Sequence, residues 1–419
     1  MDRRLRRDVV WNLVPIALLG VVGLGLNFLI AKWWGAPALG VFNLVTIAYF
    51  VFAVVGAWGI QYSALRSVAE RPDDRDHVAA TVVGALVPNI VLAAISTLAF
   101  LALRPVFAAL HGSDEVGQGM SWAALGLFCF AINKVLFGVV NGLRRMRAFA
   151  VYTSLRYVLI AVGVLIARAA DVSRAQLGGI WTFVEATMLL VLLVELLATV
   201  RIRRCVGWTR WARTHLAYGA RGVTATLAYE INTKLDVWML GAAGVSTGQV
   251  GIYSLAAGLN EGATQLSVVV QNNVNPIIAR SLADGRPGEV EALVKRTRRW
   301  FVPALAGACV FGAIIYPRVI PWVIGDHSFH AATWPFAILM AGLALASPYL
   351  PFSQMLLMAD RPAWHTVFML LVVAVNFIAN LALIPLWGLS GAAAAMALAV
   401  ISAAILIRAF SRSRAGVRL

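Results

Sequence analysis

The sequence predicts an all-α polytopic membrane protein: about twelve transmembrane helices in two pseudo-symmetric six-helix lobes, with both termini inside. Three observations carry that prediction. First, 61% of the 419 residues are hydrophobic and 13% are charged, with a mean hydropathy of +0.81; a soluble domain is about 45–50% apolar and about 25% charged. Second, twelve runs approach the ~20 apolar residues that a bilayer core requires. Third, the 35 Lys and Arg, against 19 Asp and Glu for a net charge of +16, are sorted by connector.

The first six runs fall at 9–31, 41–64, 78–103, 119–142, 149–168 and 177–200. The other six fall at 215–241, 248–279, 299–318, 332–357, 364–385 and 390–409. The first follows Arg3, Arg4, Arg6 and Arg7 and is longer than the apolar core of a signal peptide, so it reads as a retained helix. The connectors are short and leave no room for a separate soluble domain. Composition also excludes a disordered chain, collagen, a coiled coil and a disulfide scaffold. Cys129, Cys205 and Cys309 are far apart with no C-x-x-C, so no zinc site or redox pair is implied.

With the N-terminus inside, 26 of the 35 Lys and Arg lie on inner segments: the N-terminal four, 66–75, 144–147, 201–213, 280–299, Arg361 and the tail from Arg408. The outer segments hold five, Lys32, Arg104, Arg168, Arg174 and Arg318. This bias sets an N-in, C-in topology and accounts for the basic balance without nucleic acid as a partner. The remaining four, Lys134, Arg156, Arg221 and Lys234, lie inside the runs.

The two halves echo each other at an offset of about 211–216 residues. Gly40-Val41-Phe42-Asn43-Leu44 opens the second run, and Gly251-Ile252-Tyr253-Ser254-Leu255 lies near the start of the eighth. Arg66 and Arg280, the turns at Gly142–Arg145 and Ala359–Pro362, and Gly178-Gly179 and Ser390-Gly391 repeat the offset in order. Six helices per half place both halves in the same orientation, about a pseudo-two-fold axis along the membrane normal. This gives an N-terminal lobe at 1–200, a basic linker at 201–214 and a C-terminal lobe at 215–419. Such repeats suggest alternating access around a site between the lobes.

No G-x-x-x-x-G-K-[ST] occurs, so ATP-driven transport by this chain is not expected. No catalytic triad is readable. Asp326-His327-Ser328-Phe329-His330 has metal-compatible spacing but reads as a solvated loop, and no metal site is expected.

A charge near the bilayer centre costs at least about 2.5–3.5 kcal/mol and needs a partner or a wet cavity. The seventh run carries Arg221, Thr224, Thr226, Tyr229, Glu230, Asn232, Thr233, Lys234 and Asp236. Glu230 and Lys234 are spaced i,i+4 and can pair along one face; Asp236 is turned about 200° from Lys234. The eighth run supplies Asn260, Glu261 and Gln265, then Gln271, Asn272, Asn273 and Asn275 before Pro276. Asn133 and Lys134 lie on the fourth, Arg156 on the fifth, and Asn12 and Asn27 on the first. Glu185 and Glu195 on the sixth are available to neutralise Arg156 or Lys134, and Arg221 is near enough to the inner end to snorkel. Together these residues predict a cationic, hydrated cavity and an anionic substrate, because Lys and Arg are natural partners of phosphate. Substrate binding is assigned to Lys234, Arg156, Lys134, Arg221, Asn260 and Gln265, and coupling to H+ or Na+ to Glu230, Asp236 and Glu261. No resident cofactor is expected.

The stretch 234–241 (Lys-Leu-Asp-Val-Trp-Met-Leu-Gly), then Val250–Ala256, Leu259-Asn260-Glu261 and a helix ending Asn275-Pro276, resembles the polysaccharide transporter family of the multidrug/oligosaccharidyl-lipid/polysaccharide (MOP) exporter superfamily. These are the Wzx-like oligosaccharide flippases. The closing stretch 380–393, from Asn380 through Pro385, Gly388 and Gly391, is similar to the family's last helices, and the likeness spans essentially the whole chain. The resemblance implies the MOP flippase fold and a non-enzymatic role. It implies translocation of an undecaprenyl-diphosphate-linked oligosaccharide across the bacterial inner membrane, for O-antigen, exopolysaccharide or other cell-surface polysaccharide. It implies contact with membrane lipids, a polysaccharide polymerase and chain-length proteins as partners, and a monomer. An ion-coupled multidrug or metabolite exporter of the same superfamily is the first alternative, although such exporters usually bind cations through acidic groups. A membrane-embedded glycan polymerase or transferase is the second, disfavoured by the short outer connectors 104–117 and 318–331.

Overall fold

The computed structural model describes residues 3–200, 207–414, 416, 417 and 419, with side chains described for these except 3–21, 24, 225 and 229. Among the described residues there is no β-strand. The helices are α1 (Arg3–Ala57), α2 (Ile60–Glu70), α3 (Arg75–Ala102), α4 (Arg104–Leu110), α5 (Asp114–Gly142), α6 (Met146–Ala169) and α7 (Gly179–Thr199). They continue as α8 (Trp208–Ala242), α9 (Thr247–Ala283), α10 (Pro287–Ile324), α11 (Thr333–Ala346), α12 (Met355–Met358) and α13 (Pro362–Arg414).

The apolar runs lie on these helices in order. Runs one and two share α1, which breaks at Gly35 (φ 83°, ψ 174°), and runs eleven and twelve share α13, which breaks at Gly388 (φ 53°, ψ −123°). Run ten is not one helix: α11 ends at Ala346, and the chain passes through a 3-10 turn at Leu350–Phe352 into α12. Among the described residues, eight helices are long and apolar enough to cross a membrane. With 35 and 37 residues, α8 and α9 have the length but are too polar for that group. On α10, Trp300 and Trp322 are 56% and 81% exposed. Their separation along the helix is roughly 33 Å, close to a bilayer core bracketed by interfacial indoles. The chain is a multi-pass membrane protein.

By their contacts the residues form two compact units, Met1–Trp34 with Val41–Glu230 and Gly35–Gly40 with Ile231–Leu419. This division lies inside α8, not in the basic linker read at 201–214, of which 201–206 lie outside the described residues. The start of α8 is bound into the first unit by side chains that the linker reading ignored. His215 Nδ1 is 2.7 Å from Ser63 Oγ and its Nε2 is 3.2 Å from the Thr81 carbonyl oxygen. Trp58 Nε1 donates to the Leu216 carbonyl at 3.3 Å.

In the first unit α5 is the central post, and its buried Ala131, Val135 and Val139 meet α3 and α7 through Val82, Met188 and Leu192. A Cβ at Gly138 would sit 2.4 Å from the Gln61 carbonyl oxygen, so only glycine lets α5 approach α2 this closely. In the second unit Ile278, Phe352, Met355, Phe368 and Ile407 form a core across α9, α12 and α13. The same unit contains a reciprocal contact between repeat-related positions. A Cβ on Gly40 would meet the Thr247 oxygen at 1.8 Å, and one on Gly251 would meet the Ala36 oxygen at 2.0 Å.

Candidate functional site

Three adjacent helices of the first unit bring charged side chains together. Arg156 on α6 faces Glu185 on α7, with Nε donating to Oε1 at 2.6 Å. Asn133 on α5 donates from Nδ2 to Glu185 Oε2 and to the Glu185 carbonyl, both at 2.9 Å. The Glu185 side chain is 0% exposed and that of Arg156 is 20% exposed. A carboxylate so deeply buried is tolerated because two donors, one of them charged, replace its water.

Phe130 lies one helical turn before Lys134 and carries both cations. The Arg156 Cζ is 4.5 Å and the Lys134 Nζ 5.0 Å from its ring centre. Tyr49, Phe50 and Trp181 pack around this ring, with Tyr49 at 5.7 Å and Phe50 at 5.8 Å from Phe130 and Trp181 at 5.5 Å from Tyr49. Lys134 makes no hydrogen bond or ion pair among the described residues, and its electrostatic neighbours are Glu230, Arg156 and Glu185. These groups open onto a cavity of about 230 Å³, completed by Gln61, Tyr62 and Phe137. Gln61 reaches it because α1 ends in a left-handed break at Trp58 (φ 52°) and Gly59 (φ 72°), from which α2 starts at a new angle. Gln61 Oε1 and Asn133 Oδ1 are buried acceptors without a hydrogen-bond partner among the described residues. The lining residues carry two cations and one carboxylate beside an aromatic wall, and Glu230 lies close enough to Lys134 to offset part of its charge.

The second unit treats its polar residues differently. Lys234 reaches the next helix and pairs with Glu261 on α9, and the two side chains are 38% and 49% exposed. Asp236 is buried on another face of α8, as its turn from Lys234 predicts, and accepts from Tyr253 Oη at 2.5 Å. Asn260 is buried with Oδ1 unpartnered, while Gln265 and, in the first unit, Arg221 are exposed. Several amides hydrogen-bond within this unit. Gln271 donates to Ser353 Oγ at 2.6 Å and Asn275 to Gln354 Oε1 at 2.8 Å. Asn380 donates to Asn376 Oδ1 at 2.8 Å, and Asn376 to Asn232 Oδ1 at 3.2 Å.

Of the residues chosen from the sequence, Lys134 and Arg156 therefore meet in one cavity, and Lys234 and Glu261 neutralise each other. Glu195 is corrected: it binds Arg145 and accepts from Tyr152 Oη at 2.8 Å. Ten residues beyond Glu185 on α7, it stands about 15 Å further along the helix and cannot serve Arg156. The side chains of Asn12 and Tyr229 lie outside the described residues. Sequence reasoning missed Phe130, Gln61, Tyr62 and Phe137; the i,i+4 spacing of Phe130 and Lys134 was the available signal for the first.

A family model described as polysaccharide biosynthesis protein matches residues 29–327. No curated protein matches the chain. Among solved structures it is similar to the lipid II flippase MurJ in an inward closed conformation, with a TM-score of 0.75 and 12% identity over 95% of this chain and 86% of that one. An inward-facing multidrug resistance MATE family transporter of the MOP superfamily gives a TM-score of 0.75 and 14% identity, covering 98% of both chains. A MOP superfamily transporter from Pyrococcus furiosus gives 0.56 and 13%, covering 97% of this chain and 94% of that one. At such identities the likeness is one of fold, and the fold is that of the MOP transporters.

Proposed function

This chain belongs to the polysaccharide biosynthesis protein family, and on that premise we propose that it is a flippase for a polyprenyl-diphosphate-linked oligosaccharide. The observation that carries the reading is the cavity of the first unit, where Lys134, without a hydrogen bond or ion pair among the described residues, shares the lining with Arg156, Gln61 and Asn133. An ammonium of this kind suits a negative charge on a phosphate or an acidic sugar. At about 230 Å³ the cavity has room for a sugar ring or a phosphate group, not for a whole lipid-linked glycan, and so acts as an anchor point. Twelve crossings, an N-in, C-in topology, alternating access and a place in the bacterial inner membrane complete the proposal. Coupling to H+ or Na+ through Glu230, Asp236 or Glu261 is part of it.

The test is movement of a lipid-linked oligosaccharide across the bilayer of proteoliposomes. The wild-type protein is expected to move it without ATP, and Lys134→Ala to slow it at unchanged protein stability. A wild-type protein that moves none would sink the reading. The likeness to multidrug transporters favours one second reading, ion-coupled export of a small molecule. It predicts that deletion sensitises cells to cationic compounds while glycan translocation continues.

A further inference from the structure

Near the Trp300 end of α10, three segments of the second unit converge on one tyrosine. The guanidinium carbon of Arg298 on α10 lies 4.2 Å from the centre of the Tyr349 ring, and that of Arg408 on the last turns of α13 lies 5.8 Å from it. Arg298 Nε donates to the Pro348 carbonyl at 2.7 Å, which fixes the orientation of the group. Its Nη2 is buried and has no hydrogen-bond partner among the described residues. Neither arginine has a carboxylate partner among the described residues. Arg286, on the same basic connector, instead pairs with Asp284 and Glu289.

Two guanidinium groups gathered on one ring without an acid repel each other, and an anion relieves that repulsion while using their donors. Phosphate is the anion whose geometry guanidinium fits best. The surroundings indicate where the phosphate comes from. Trp300 is exposed two residues beyond Arg298, and Arg414 lies over Trp364 with its Cζ 3.8 Å from the ring centre. An exposed indole such as that of Trp300 marks the level of lipid headgroups. We propose that Arg298, Arg408 and Tyr349 form a binding site for the phosphate of an anionic membrane lipid. The site is separate from the cavity of the first unit and does not depend on which substrate is carried.

The experiment uses the full chain in nanodiscs of phosphatidylcholine with increasing phosphatidylglycerol, and reads retained phosphatidylglycerol by native mass spectrometry. Removing one arginine is expected to weaken retention about fivefold and removing both about 25-fold. Arg408 is exposed, so Arg408→Gln tests the site even if the double variant with Arg298→Gln does not fold. Arg412→Gln, an exposed cation on the same turns of α13, is expected to retain the lipid as the wild type does. Unchanged retention in Arg408→Gln overturns the proposal. Equal loss in Arg412→Gln overturns it in favour of diffuse attraction to the basic face. Displacement of the lipid by millimolar inorganic phosphate overturns the lipid as the source.

Discussion

The two units handle the charges on their helices in opposite ways. In the first, charges on neighbouring helices are drawn inward: Arg156, Glu185 and Asn133 lock together, and Lys134 is set beside them on the Phe130 ring. In the second, the pairs are dispersed, with Lys234 and Glu261 half exposed and Asp236 sealed against Tyr253. A repeated helical plan therefore does not repeat its chemistry. Where partners exclude water, removing one is costly and the geometry is rigid; where the pair is solvated, either member can leave or exchange at little cost.

Five substitutions break or sharpen that contrast, in falling order of effect. Glu185→Gln removes the charge that neutralises Arg156 and is expected to destabilise the protein by about 3–5 kcal/mol, read from its unfolding in detergent. Tyr253→Phe removes the side-chain donor of the buried Asp236 carboxylate and should cost about 1–3 kcal/mol by the same measurement. Lys134→Ala should instead leave stability unchanged or raised, because the lysine has no bonded partner, while lowering glycan flipping about tenfold or more. A stability loss as large as that of Glu185→Gln would show Lys134 to be structural and erase the difference between the two residues. Lys234→Ala and Glu261→Ala complete the series: in a double-mutant cycle their coupling should stay below about 1 kcal/mol.

Much of the fold is legible because span length and charge sorting are simple rules. The breaks at Gly35 and Gly388 stand near prolines, Pro37 and Pro385, and separate apolar runs that the eye already divides. The turn at Trp58 is different: a tryptophan at φ 52° has no sequence signature, yet it aims Gln61 at the cavity. The interruption of the tenth run was hidden because Ser347, Pro348 and Pro351 sit among apolar neighbours. In the site, the availability of Glu185 to Arg156 was readable from chain order. The preference of Lys234 for Glu261 was not, since i,i+4 geometry on one helix says nothing of what the next helix presents.

The Arg156–Glu185 pair also constrains how the protein is made. The two residues are 29 positions apart on consecutive helices, so the ribosome releases the arginine before its counter-charge exists. Entering hydrocarbon alone, the arginine would oppose insertion by at least about 2.5–3.5 kcal/mol. Insertion of α6 and α7 as one hairpin removes that barrier. A nascent chain stopped just before Glu185 is then expected to leave α6 at the membrane surface, and one extended through α7 to bring both helices in. Glycosylation-site mapping of the two lengths reads the difference, and equal insertion of both would show that α6 enters unaided.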